Sequence, residues 1–189
     1  RAGVVVYRCD DRPGFKWNTS SPGARKNVDA VLAAAAEASA ARPNLPLVLC
    51  GASFGCRVLA TLLRTRAAEL PPRVTDALVC CGYPLHKPGA AEGFQPERAN
   101  ALAEMPNATR VLLVQGSLDE FNGPRGICAL REVVARMADP GRVQLLEVPN
   151  GQHTVPEVTR VKELGLTRAA AEEQAARLVR DAIAAFVVA

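Results

Sequence analysis

Apolar positions along the chain come in two textures. Short, mostly apolar runs occur at residues 3–8, 47–50, 75–82, 110–115 and 142–148, rich in Val, Leu and Cys. Runs of this length, bounded by turn-forming residues, predict buried strands. Between them the apolar residues recur every three or four positions, which predicts helices over 24–41, 54–66, 124–138 and 169–188. In the first, Val28, Val31, Leu32 and Ala35 share a face; in the last, Ala175, Leu178, Val179, Ala182, Ile183 and Phe186 do. Proline punctuates the pattern at 43, 46, 71 and 72, and Pro124 suits a helix's first turn. Residues 9–23 read as a long loop, with Phe15 and Trp17 covering a core edge in preference to lining a substrate pocket, and the polar stretch 87–106 as a loop with one short helix near 96–104. Strand and helix thus alternate five times. That order predicts one α/β domain over residues 1–189, a mostly parallel sheet with helices on both faces. Ligands of such sheets bind at the C-terminal ends of the strands.

Composition narrows the classes. Of 189 residues, 49% are hydrophobic and 22% charged, the balance of a folded soluble domain. The net charge of +4 is scattered without a basic run, and five Phe, two Tyr and one Trp offer few stacking platforms, so nucleic acid is not an expected partner. No apolar run approaches the roughly 18 residues of a membrane span. The six cysteines include no C-x-x-C pair, so no zinc site or other metal is expected. Cys50, Cys80 and Cys81 lie in strand-like runs and are expected to be buried thiols. Free thiols in this number point to a reducing, intracellular compartment, with the cytoplasm the expected location. The chain begins at Arg1, which suggests a truncated or processed start.

The candidate chemistry sits just past three of the strands. Gly51-Ala52-Ser53-Phe54-Gly55 follows the strand at 47–50 and precedes a helix, the context of a nucleophile elbow. A serine on so sharp a turn needs neighbours without bulk two residues before and after it, where helix and strand approach. The following helix directs its positive end at the serine, and the Phe54 N–H is the expected oxyanion donor. Asp119 follows the strand at 110–115, and His153 the strand at 142–148. Ser53, Asp119, His153 is the chain order of nucleophile, acid and base in α/β-hydrolases. A serine hydroxyl needs an imidazole to take its proton, and the imidazole needs a carboxylate to fix its tautomer. Glu120 is an alternative acid, or a partner for Arg125 or Arg57. His86, the second of only two histidines, and Tyr83 are candidates for contact with substrate. This chemistry calls for no cofactor.

Four segments carry a resemblance. Gly51-Ala52-Ser53-Phe54-Gly55-Cys56-Arg57 resembles the G-x-S-x-G-x-R elbow of the KANL3/Tex30 group of dienelactone-hydrolase-like α/β-hydrolases. Tyr83-Pro84-Leu85-His86 is similar to that group's Y-P-L-H segment, Gly116-Ser117-Leu118-Asp119-Glu120 to its G-S-x-D-E turn, and Asn150-Gly151-Gln152-His153 to its histidine loop. The resemblance implies an α/β-hydrolase fold with Ser53, Asp119 and His153 as its triad. It also implies that the first strands of the full fold, whose loop supplies a second oxyanion donor, are missing from this chain. One branch of the group serves as a scaffold in a chromatin-modifying complex. Two functions are therefore expected: a serine hydrolase acting on a small ester, thioester or related acyl substrate, or a catalytically silent subunit with protein partners. The short 87–103 segment leaves no room for a large lid and favours an open site for small or exposed substrates.

Overall fold

The computed structural model describes residues 21–72, 74–87, 95–106, 109–159 and 161–188. The expected strand at 3–8 and the loop carrying Phe15 and Trp17 lie outside the described residues. Within them, four strands form one sheet in the order β1 (Leu47–Ala52), β2 (Val74–Cys81), β3 (Arg110–Gly116) and β4 (Val143–Val148). Every pairing is parallel. The register brings the C-terminal ends together: Ala52 lies beside Cys81, Cys81 beside Val114, and Gly116 beside Val148.

The helices are α1 (Ser21–Lys26), α2 (Val28–Ala41), α3 (Phe54–Arg66), α4 (Pro96–Ala103), α5 (Ile127–Ala135) and α6 (Arg168–Val188). They cover both faces of the sheet. On one face Leu49, Leu78, Cys80, Val111 and Leu113 meet Val58 and Leu62 of α3 and Leu130 and Val133 of α5. On the other, Ala77, Val79, Leu112 and Val114 meet Ala171, Ala175 and Phe186 of α6. Successive strand residues point to opposite faces, so burial on both faces requires continuous apolar runs. That is why these strands stand out in the sequence.

The structure departs from the periodicity at four places. The expected helix over 24–41 is two helices. Asn27 is buried at the break, donates its side-chain amide to the Gly23 carbonyl at 3.1 Å, and α1 reaches back to Ser21 where loop was expected. The helix expected from Pro124 begins at Ile127, because Gly123 and Gly126 take positive φ angles of 68° and 52°. Cys50 is exposed and Cys81 half-buried, where both were expected to be buried: β1 is at one end of the strand order, and of its side chains Leu49 enters the first core. Leu178 is 40% exposed, and Ala171 joins Ala175 and Phe186 on the buried side of α6 instead.

Candidate active site

Ser53 occupies the turn between β1 and α3 with φ 49° and ψ −118°, a conformation costly for a residue with a side chain. The turn is held from the neighbouring strand, since the Ser53 N–H donates to the Cys81 carbonyl at 2.9 Å. Gly51 is obligatory here: a Cβ on it would stand 2.7 Å from the Cys56 nitrogen and 2.8 Å from the Gly55 carbonyl carbon. Gly55 differs from expectation, for a Cβ there would meet nothing within 4 Å. The close approach of helix to strand falls entirely on Gly51. Phe54 opens α3 at the helix's positive end, with its ring buried and the Arg57 guanidinium 5.9 Å from the ring centroid.

The three sequence-predicted polar residues meet. His153 Nε2 lies 2.6 Å from Ser53 Oγ, and its Nδ1 lies 2.8 Å from Asp119 Oδ2. A carboxylate only accepts, so Nδ1 carries the proton and Nε2 is the acceptor facing the serine hydroxyl. The Asp119 side chain is fully buried and the His153 side chain 15% exposed, so the imidazole alone of the pair reaches solvent. Asp119 Oδ1 accepts from the Phe121 N–H at 2.8 Å. Asp119 Oδ2 also accepts from Gln115 Nε2. Glu120, the alternative acid, lines the cleft instead, and Arg125 pairs with Glu132 at 2.8 Å.

Backbone contacts place the imidazole. The Leu118 N–H donates to the Gly151 carbonyl at 2.9 Å, and the Asn150 N–H to Ser117 Oγ at 2.8 Å. Gly82, at φ +67°, lies under the His153 carbonyl, and a Cβ there would stand 2.5 Å from that oxygen. The Phe121 ring stacks on His153 with centroids 3.9 Å apart and planes 26° from parallel. Beside His153 opens a cleft of about 340 Å³ lined by Glu120, Phe121, Gln152, Thr154, Glu157 and Thr159.

Tyr83 and His86 do not line that cleft. Tyr83 is fully buried, and its hydroxyl donates to the Arg98 carbonyl at 2.8 Å. Burial pushes the hydroxyl's pKa up. His86 is also buried, its N–H bonded to the Phe121 carbonyl at 2.8 Å, and burial with the nearby Arg98 charge lowers its pKa. Arg98 donates through Nη1 to the His86 carbonyl, and burial followed by repulsion from Arg57 brings its pKa down to about 10. The Tyr-Pro-Leu-His segment therefore braces the floor of the site. Gln115 and Phe121 were not singled out in the sequence. A polar residue closing the apolar run at 111–114 is a readable signal for Gln115; Phe121 carries none. Among the described residues no three His, Cys, Asp or Glu side chains stand close enough together to hold a metal ion, and no helix is long and apolar enough to cross a membrane.

A parallel sheet whose strand ends carry a strained serine, a histidine and a buried aspartate in contact defines the α/β-hydrolase class. Residues 18–184 match the family model described as an alpha/beta hydrolase domain, and the chain belongs to that family. Among solved structures it is similar to XC6422 from Xanthomonas campestris, described as a serine hydrolase without lid. The two are 23% identical, with a TM-score of 0.50 over 82% of this chain and 57% of that one. It is also similar to E-2-(acetamidomethylene)succinate hydrolase, at 15% identity and a TM-score of 0.51 over 95% of this chain and 77% of the other. The chain thus spans little more than half the length of the Xanthomonas protein. No curated protein sequence matches it.

Proposed function

We propose that the chain is a serine hydrolase that cleaves a small ester, thioester or related acyl substrate through Ser53, His153 and Asp119. The observation that supports this reading is the continuous pair of contacts, 2.6 Å from Ser53 Oγ to His153 Nε2 and 2.8 Å from Nδ1 to Asp119. Ser53 Oγ attacks the acyl carbon as its proton passes to Nε2, and the imidazolium is stabilised by the buried Asp119 carboxylate. The Phe54 N–H, at the positive end of α3, donates to the developing oxyanion. His153 then returns the proton to the leaving alcohol or thiol. Water enters from the cleft, loses a proton to Nε2 and attacks the acyl-enzyme, and the proton finally goes back to Ser53 Oγ as the acid departs.

The exposure of His153 to an open cleft suits small substrates. The Tyr83–His86 segment supports placing the chain within the KANL3/Tex30 group. The test is labelling of the folded protein by a fluorophosphonate probe. Labelling that disappears in Ser53→Ala is the expected result. A folded protein that resists the probe would refute the hydrolase reading and turn attention to a scaffold role with protein partners.

A further inference from the structure

A glutamine with no exposed surface, at the end of an apolar strand, requires partners for its amide, because an unpaired buried amide costs stability. Gln115 has one at each end. Its Oε1 accepts from the Tyr83 N–H at 2.9 Å, and its Nε2 donates to Asp119 Oδ2. A backbone N–H can only donate, so the amide has one permitted orientation, with the NH₂ group toward the carboxylate. The Asp119 carboxylate is then pinned at both oxygens, Oδ1 by the Phe121 N–H and Oδ2 by Gln115. Its rotation is settled before His153 arrives at Oδ2.

We propose that Gln115 is a positioning residue of the site, one that holds the Asp119 carboxylate at the rotation that presents Oδ2 to His153. This rests on the hydrolase reading for its link to turnover, but not for its geometry. Two consequences separate it from a merely structural bond to Tyr83. Removal of the NH₂ donor frees the carboxylate, even where the acceptor for Tyr83 is kept. A carboxyl in place of the amide donates to Asp119 only while it is protonated. The other titratable or charged groups around the pair are His153, with Glu120 and Glu157 in the cleft wall, and Tyr83, His86 and Arg98 on the buried side.

The test uses Gln115→Leu and Gln115→Glu in the full chain with two readouts. The first is the downfield proton resonance of the His153 Nδ1–H, which reports the bond to Asp119 and needs no turnover. The second is hydrolysis of p-nitrophenyl acetate. Gln115→Leu is expected to lose the resonance and to lower kcat about tenfold or more with KM within about twofold, the pattern of a lost transition-state interaction. Gln115→Glu keeps the shape and the Tyr83 acceptor, so it also serves if the leucine variant fails to fold. It is expected to match the parent's resonance and rate at low pH, where its carboxyl is protonated, and to fall below the parent in both as pH rises. A folded Gln115→Glu variant that matches the parent in its resonance across the pH range would overturn the proposal. Absence of turnover in every form, with the resonance behaving as expected, would refute the hydrolase reading and leave the positioning role standing.

Discussion

Replacing Gly82 by alanine should disturb the site while leaving the identity of its three polar side chains unchanged. Two costs arise. The φ of +67° puts an L side chain in the left-handed region, at about 1–2 kcal/mol. The new Cβ would stand 2.5 Å from the His153 carbonyl oxygen. Ordinary contacts of a Cβ begin above 3.0 Å and are comfortable beyond 3.4 Å, so the histidine loop must retreat by about 0.5–0.9 Å. Overlap of this kind costs about 1–3 kcal/mol. A retreat of that size carries Nε2 from its present 2.6 Å toward the edge of hydrogen-bond range of Ser53 Oγ. Misplacement of a reacting group by about 1 Å can lower a rate roughly 100-fold. The assays are urea denaturation for the first effect and the rate of fluorophosphonate labelling for the second. Gly55→Ala is the control, since a Cβ there meets nothing within 4 Å. A Gly82→Ala protein with parental stability and labelling rate would refute the claim that this glycine seats His153.

Gly51→Ala should lose about 1–3 kcal/mol or more in urea denaturation, because the atoms it meets are backbone, whereas Gly55→Ala should be neutral or gain up to about 1 kcal/mol as a better helix former. Phe121→Leu should weaken the stack on His153 by about 0.5–1.5 kcal/mol, read as a slower labelling rate and a melting temperature lower by a few degrees. Tyr83 has a pKa raised by burial, so its contribution is intact below the unfolded-state value of about 10 and is lost as pH rises above it. Thermal melts across pH 8–11 should therefore show an alkaline loss of stability that is smaller in Tyr83→Phe, and identical slopes would count against this assignment.

The strands were legible because burial on both faces leaves few polar residues in the runs, Asp76, Gln144 and Glu147 among them, and the meeting of Ser53, Asp119 and His153 because each lies shortly past such a run. What escaped depends on contacts that sequence periodicity does not encode. Asn27 divides a helix whose alanine-rich pattern looks unbroken, since one buried amide satisfies the Gly23 carbonyl at the junction. Leu178 sits on the predicted apolar side of α6 yet faces outward, because the second core takes the line through Ala171, Ala175, Val179, Ala182, Ile183 and Phe186, and Leu178 lies off it. Tyr83 and His86 carry groups that suit a binding surface, but a polar side chain in a strand-exit loop can equally be turned inward when a carbonyl such as that of Arg98 waits there. Phe121 was invisible because its partner is 32 positions away and only the fold brings them face to face.

The strand-exit turns are each fastened to a neighbour: Ser53 N–H to the end of β2, Gly82 N–H to Val114 of β3 at 2.8 Å, and Ser117 N–H to Val148 of β4 at 3.0 Å. These bonds tie the relative placement of Ser53, Asp119 and His153 to the register of the strand stack. A slip of register between neighbouring strands would therefore part Ser53, Asp119 and His153 together.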